Sequence, residues 1–382
     1  MITFESWQQR IEKQYLLFFI LDGARMIRTI PFFLLLFILA AVSACQPEVA
    51  DLEGSDYAGI QTITPVETDS IYEANPIVTL DGSGQSQYSS FTILDSVEYE
   101  IQQRLKLVNS GPESPSKQNL WVALIQDIYP YQDVLEQEIS PDNFQLITDE
   151  YGNQIAEFDF SEMPPESEIV VQINYRLRVN QLEFDISHCQ GELPDFFTYP
   201  ELHVESQNPQ ILQLAGLLSQ GKQTTCEQVR AFYEHIGDNL VYSYNGGNWG
   251  AQAALGEMGA DCTEFSSLMI ALSRAVGIPA RYIEGLSYIP EGEKALVRQE
   301  HAWLEVFLPG IGWTPMDPTL GRSSITQEQY FAKLPADHII VTRGRNPSAL
   351  RGGSYWTYLY WPGDSTKIRI EKGEWEINRI GD

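Results

Sequence analysis

The sequence predicts an α+β protein: an antiparallel β-sandwich, followed by a part in which helices alternate with strand-like runs. Three observations carry this prediction. Apolar and polar residues alternate over long stretches before residue 180, apolar residues fall at helical spacing after Pro209, and two strand-like runs flank a Gly-rich turn at 309–312.

With 382 residues, 43% of them apolar, the chain has material for two or three packed domains. Its 52 acidic residues outnumber 24 basic ones. The segment between Cys45 and Gln103 holds acidic side chains and no Lys or Arg. Such a surface repels nucleic acid and anionic headgroups, so no nucleic-acid partner is expected.

Residues 1–45 are read as an export segment. Arg25 and Arg28 precede an apolar run from Ile30 to Val42, which is shorter than the roughly 20 residues a membrane-spanning helix takes. The run ends in Val42-Ser43-Ala44-Cys45. That tetrapeptide resembles the lipobox of bacterial lipoproteins, and the resemblance implies cleavage before Cys45, its lipidation, and anchoring at a membrane surface in the cell envelope. An uncleaved signal anchor is the alternative. Residues before Met26 carry Glu5, Lys13 and Asp22, so translation is expected to start at Met26. Residues 46–88, acidic and interrupted by Pro47, Pro65 and Pro76, read as a tether.

The sandwich is expected over 89–185. Val97, Tyr99, Ile101, Leu105 and Leu107 alternate with Glu98, Glu100, Arg104 and Lys106, and the pattern returns at Val171, Ile173, Tyr175, Leu177 and Val179. Ala156, Phe158 and Phe160 give a shorter run, and turn sequences such as Asn109-Ser110-Gly111-Pro112 separate the strands.

Helices follow within 190–325. Thr225-Cys226-Glu227-Gln228 fits a capping box, with Val229, Phe232, Tyr233 and Ile236 on one face behind it. A Gly- and Asn-rich loop at 245–250 leads to Asp261, the expected N-cap of a helix carrying Phe265, Leu268, Met269 and Leu272 until Gly277 and Pro279 stop it. Cys262 therefore lies in a first helical turn, where unpaired N–H groups and the positive dipole end favour the thiolate. Taken alone, a cysteine there is as well explained as a buried filler.

Beyond a strand at 280–289, alternation puts His301, Trp303, Glu305 and Phe307 on one face of the next. Loop length decides where Asp317 falls. A two-residue turn would set it opposite Leu304 on the wrong face, whereas a three-residue loop, Pro309 to Ile311, sets it opposite Trp303 and diagonal to His301. Gly312 supplies a left-handed residue for that loop.

A thiol at a helix start, an imidazole on a strand and a carboxylate to orient the ring are the parts of a Cys-His-Asp acyl-transfer site. Gly259-Ala260-Asp261-Cys262-Thr263-Glu264-Phe265, Gly277-Ile278-Pro279-Ala280-Arg281-Tyr282, His301-Ala302-Trp303-Leu304-Glu305-Val306 and Gly312-Trp313 with Asp317-Pro318-Thr319 occur in that order. In these stretches the chain resembles the transglutaminase-like superfamily. The resemblance implies a papain-like core over 190–325, its Cys-bearing helix packed on an antiparallel sheet that carries His and Asp. By the same resemblance, Cys262 attacks an amide carbonyl of a peptide or protein, His301 protonates the departing amine, Asp317 holds the ring, and water or a second amine releases the thioester. Hydrolysis is the default and transamidation stays open. The oxyanion would be held by the Cys262 backbone N–H and a side chain upstream. Tyr244 and Trp249 are the candidates, each equally readable as a packing aromatic. A catalytically silent binding or scaffold module is the competing reading.

The remaining residues, 326–382, are expected as a β-rich extension. Only four cysteines occur, without C-x-x-C or a histidine at zinc-like spacing, so neither a metal nor another cofactor is expected. With Cys45 and Cys262 assigned elsewhere and export placing the chain in an oxidising space, Cys189 and Cys226 are expected to pair, two buried free thiols being the alternative.

Overall fold

Alternation before residue 180 becomes two long strands, β1 (Phe91–Asn109) and β6 (Ser167–Phe184), paired antiparallel along their lengths. The computed structural model describes residues 90–381 except 245–249, 257–258, 291–298, 347–348, 350–358, 362–366 and 374. The expectations for the export segment, Cys45 and the tether lie outside the described residues, as does Trp249.

Between these strands come β2 (Asn119–Ala123), β3 (Gln132–Ser140), β4 (Phe144–Thr148) and β5 (Gln154–Asp159). β3 adds to the free edge of β6, while β2, β5 and β4 make a second antiparallel sheet. Ile101, Leu105, Leu107, Val171 and Ile173 of the first sheet share a core with Leu120, Val122 and Phe158 of the second. This is the sandwich that period-two burial demands, since each sheet must hide one face.

The described residues then form helices α1 (Pro209–Ser219), α2 (Thr225–Asn239), the single turn α3 (Ala251–Ala254) and α4 (Cys262–Ala275). Among the described residues no helix is long and apolar enough to cross a membrane. The capping box of α2 sits one residue earlier than the spacing suggested. Thr224, in extended conformation, accepts from the Glu227 N–H, and the Glu227 carboxylate reaches back to the Thr224 N–H. Thr224-x-x-Glu227 competes with Thr225-x-x-Gln228, and the charged partner gains from the helix dipole. A disulfide joins Cys226, in the first turn of α2, to Cys189, Cα to Cα 6.0 Å.

The third sheet consists of β7 (Ala280–Ser287), β8 (Glu300–Leu308), β9 (Gly312–Met316) and β11 (His338–Arg343) in the order β11–β7–β8–β9, all antiparallel. α4 packs on it, burying Phe265, Leu268, Met269 and Leu272 in one core with Ala302, Leu304 and Val306. The fold is α+β, and mostly antiparallel.

The stretch after residue 325 does add strands, but to all three sheets. β10 (Lys333–Leu334) pairs with β6, β11 closes one edge of the third sheet, and β12 (Leu359–Trp361) pairs with β2. β13 (Ile368–Lys372) and β14 (Glu376–Arg379) both pair with β1. Leu286, Ile339 and Val341 join the sandwich core, so the two folded parts share apolar contacts.

Candidate active site

Asp261 starts the site. Its side chain accepts from the Thr263 N–H at 3.0 Å, and the wholly buried Glu264 accepts from the Asp261 N–H at 3.1 Å, a reciprocal cap that fixes the first turn of α4. Exchanging such a cap for alanine typically costs about 1 kcal/mol. Cys262 is the next residue, partly exposed and free of any disulfide. Its N–H belongs to the first-turn donors that a helix leaves without an intrahelical acceptor.

The hairpin of β8 and β9 delivers the other two groups. Leu308 pairs with Gly312, leaving a three-residue loop, Pro309 to Ile311, and the ladder runs to Leu304 opposite Met316. Asp317 follows, level with Trp303. Gly310 and Gly312 both take positive φ, 77° and 100°. The diagonal meeting of His301 and Asp317 follows from this register: His301 Nε2 lies 2.6 Å from Asp317 Oδ2. With Nε2 so engaged, Nδ1 is the nitrogen left for a second partner, and Cys262 lies close enough to the ring to favour its protonated form. Burial alone would push the His301 pKa down. The charge and hydrogen bond of Asp317, with a smaller contribution from Cys262, raise it to about 9. Asp317 is itself fully buried, which would raise it, but His301 and then His338 hold its carboxyl well below the ordinary range. Its second oxygen accepts from the N–H groups of Thr319 and Leu320 at 2.8 and 3.0 Å.

Trp303 and Gly285 shape the space around the ring. Gly285 pairs with His301 across β7 and β8, and a Cβ there would come within 2.6 Å of the Trp303 ring and 2.0 Å of the Ile339 carbonyl oxygen. The missing side chain lets Trp303 stack on His301, centroids 5.8 Å apart. Arg281, opposite Glu305, bonds it at 2.6 Å with both side chains buried, and its guanidinium lies 4.1 Å over the Trp313 ring.

A family model described as the transglutaminase-like superfamily matches residues 213–318. This span holds α2, the capped Cys262, the hairpin and Asp317. The chain carries a transglutaminase-like domain. The crystal structure of a candidate cysteine protease from Cytophaga hutchinsonii superimposes with a TM-score of 0.55 at 15% identity, covering 76% of this chain and 92% of that one. An uncharacterized protein of Bacillus subtilis, YebA, is 27% identical over 169 residues, 40% of this chain and 22% of that protein. A protein-glutamine gamma-glutamyltransferase of Pseudomonas aeruginosa is 40% identical over 63 residues, 15% of this chain and 9% of that protein. The chain therefore spans well under a third of the length of either curated relative.

Within the transglutaminase-like domain, the structure brings Cys262, His301 and Asp317 together and leaves Tyr244 exposed. Tyr242, two residues earlier, has a hydroxyl near enough to Cys262 to feel it. Burial raises its pKa, and Cys262 and Asp261 add to this. Its backbone bridges Ala260, which brings it to the start of α4. A second residue passed over is His338, just beyond the domain's matched span, whose Nε2 lies 3.2 Å from Asp317 Oδ2. His301, Asp317 and His338 place three atoms of metal-binding type within 4.8 Å of one another. Their 2.6 and 3.2 Å separations are hydrogen-bond lengths. A tetrahedral zinc about 2.0 Å from each would need them roughly 3.3 Å apart.

Proposed function

We propose that the chain is a cysteine-dependent acyl-transfer enzyme acting on amide bonds of peptides or proteins. The observation that carries this reading is the partly exposed Cys262 beside His301, whose ring is hydrogen-bonded to the buried Asp317. In the first half-reaction the Cys262 thiolate adds to the amide carbonyl, whose oxygen takes up the negative charge beside the Cys262 N–H. As the C–N bond breaks, the departing nitrogen receives the proton of the His301 imidazolium, leaving a thioester on Cys262 and a neutral ring. In the second, His301 takes a proton from water or from an amine as it attacks the thioester, and the thiolate leaves with the ring reprotonated. Asp317 keeps one proton on Nε2 throughout, so Nδ1 is the nitrogen that gives and takes.

Hydrolysis and transamidation share the first half-reaction, in keeping with relatives described both as a candidate cysteine protease and as a glutamyltransferase. Water's abundance makes hydrolysis the default. A cell-envelope location with a lipid anchor on Cys45 is part of the proposal, supported by the apolar run that ends in Val42-Ser43-Ala44-Cys45.

The test is incubation of the full chain with casein, with and without a fluorescent primary amine. Released peptides report hydrolysis and labelled casein reports transamidation, and Cys262→Ala is expected to abolish whichever occurs. If the wild type does neither, or the variant equals it, the acyl-transfer reading falls and a binding module replaces it.

A further inference from the structure

Nothing in that reaction uses His338, which is wholly buried at the first position of β11. Both of its ring nitrogens face carboxylates: Nδ1 lies 2.6 Å from Asp337 Oδ1, and Nε2 lies 3.2 Å from Asp317 Oδ2. A carboxylate has only acceptors to offer, so both nitrogens must donate. An imidazole that donates from both nitrogens is the cation.

The register brings this second imidazole to the first. His338 pairs with Ser287 and His301 with Gly285, so the two histidines flank β7 on one face, two residues apart along it. The two rings meet edge to face at a centroid separation of 5.7 Å. Trp303 closes the space, 5.0 Å from the His338 ring. Asp317 Oδ2 thus accepts from two imidazoles at once.

We infer that His338 is a positioning residue that shares Asp317 with His301 as a fixed buried cation, and so keeps His301 a weaker base than Asp317 alone would make it. The inference rests on the acyl-transfer reading. A histidine paired with a buried, unshared carboxylate holds its proton tightly, whereas the proposed chemistry needs that proton to leave for the amine. His338 supplies the counterweight. It withdraws part of the Asp317 charge by hydrogen bonding and repels the His301 proton directly. Asp337 keeps it charged: burial opposes the cation, but Asp337 and then Asp317 overcome this and set the His338 pKa at about 9. The other groups facing the pair are Cys262 from α4, Tyr330 from the turn before β10, ring 5.9 Å from His338, and Tyr233 from α2, whose hydroxyl donates to the Asp317 carbonyl oxygen at 3.3 Å. Both tyrosines stay neutral, since burial and nearby carboxylates push them far above neutral pH.

Two measurements on the full chain test this without a substrate. In the first, the rate of Cys262 alkylation by iodoacetamide is followed against pH. The wild type should show a step where the His301 proton is lost, and His338→Gln should move that step upward by about one pH unit, a tenfold gain in proton affinity. A role in packing alone would lower the rate or the melting temperature without moving the step, and an unmoved step overturns the inference. In the second, nitrogen-15 histidine spectra should show both His338 ring nitrogens protonated at pH 7, and Asp337→Asn should bring that titration down towards neutral pH. A neutral His338 ring at pH 7 overturns the inference even if His338→Gln fails to fold. Should wild-type Cys262 react as an ordinary thiol with no step, the acyl-transfer reading fails, and the spectra still decide the charge of His338.

Discussion

The long strands of the sandwich and the short strands around His301 handle charge in opposite ways. Along β1 and β6, apolar side chains point inward and charges outward, where Glu98 meets Arg176 and Arg178 at 2.9 and 3.2 Å in partly exposed pairs. In β7 and β9 every residue is buried. Even so, the third sheet and its edges enclose Arg281, Glu284, His301, Glu305, Asp317 and His338. A sheet covered on both sides ordinarily reads as continuous apolar sequence. Groups kept there must be paired or neutralised, because each bare charge would cost several kcal/mol of desolvation, and burial indeed raises the Glu284 carboxyl to about 8. The sandwich spends its charges on solubility, and the third sheet holds them where chemistry is proposed.

The largest expected effect separates function from stability within the third sheet. Cys262→Ala should lower turnover by at least on the order of 1,000-fold. Its melting temperature should stay near that of the wild type, because the residue is partly exposed and alanine is a good helix former. Asp317→Asn should keep the fold and cost on the order of 100-fold or more in turnover, since an amide can hold the ring in the wrong tautomer.

Next in size are the buried ion pair and the packing beside it. Arg281→Met leaves Glu305 ionised and buried, and denaturant unfolding should show a loss of about 3–5 kcal/mol. Gly285→Ala forces Trp303 and β11 apart and should cost roughly 1–3 kcal/mol, with a fall in Cys262 reactivity because the ring of His301 loses its stacking partner.

A smaller effect is set by pH. His301 and His338 are both raised from the ordinary 6.5 to about 9, so each binds its proton more tightly in the folded state. Their contribution is fully present below about pH 6.5 and is lost as pH rises through 9. Thermal unfolding should therefore show the melting temperature falling from pH 6.5 to 9, and falling less in His338→Gln. A flat profile would show that the pair's charges do not stabilise the fold. At the far end of the scale, Glu98→Gln on the sandwich should leave the melting temperature unchanged within error.

What was legible follows the same division. Period-two alternation gave β1 and β6, because a half-buried strand writes its burial into its sequence. Hairpin length gave the meeting of His301 and Asp317, because the count of residues between two strands fixes which side chains face each other. His338 was not legible. β11 pairs with β7 from more than fifty residues away, and nothing local to Asp337-His338-Ile339 tells which residues lie across the sheet. Tyr242 was missed for a related reason, its position being set by a bridge to Ala260 and not by its neighbours in sequence. The α2 cap was displaced by one because two overlapping sequences both satisfy the spacing, and only the backbone conformation of Thr224 separates them.

The most direct test of the line from Cys262 to Asp317 is the alkylation of Cys262 by iodoacetamide at pH 6, mapped by mass spectrometry. The Cys189–Cys226 disulfide keeps those two sulfurs from competing for the reagent. Cys262 is expected to react faster than free cysteine at that pH, and His301→Ala to slow it to the rate of an ordinary thiol. Wild-type reaction no faster than free cysteine, or a rate indifferent to His301, would contradict the assignment of these residues as one nucleophilic unit.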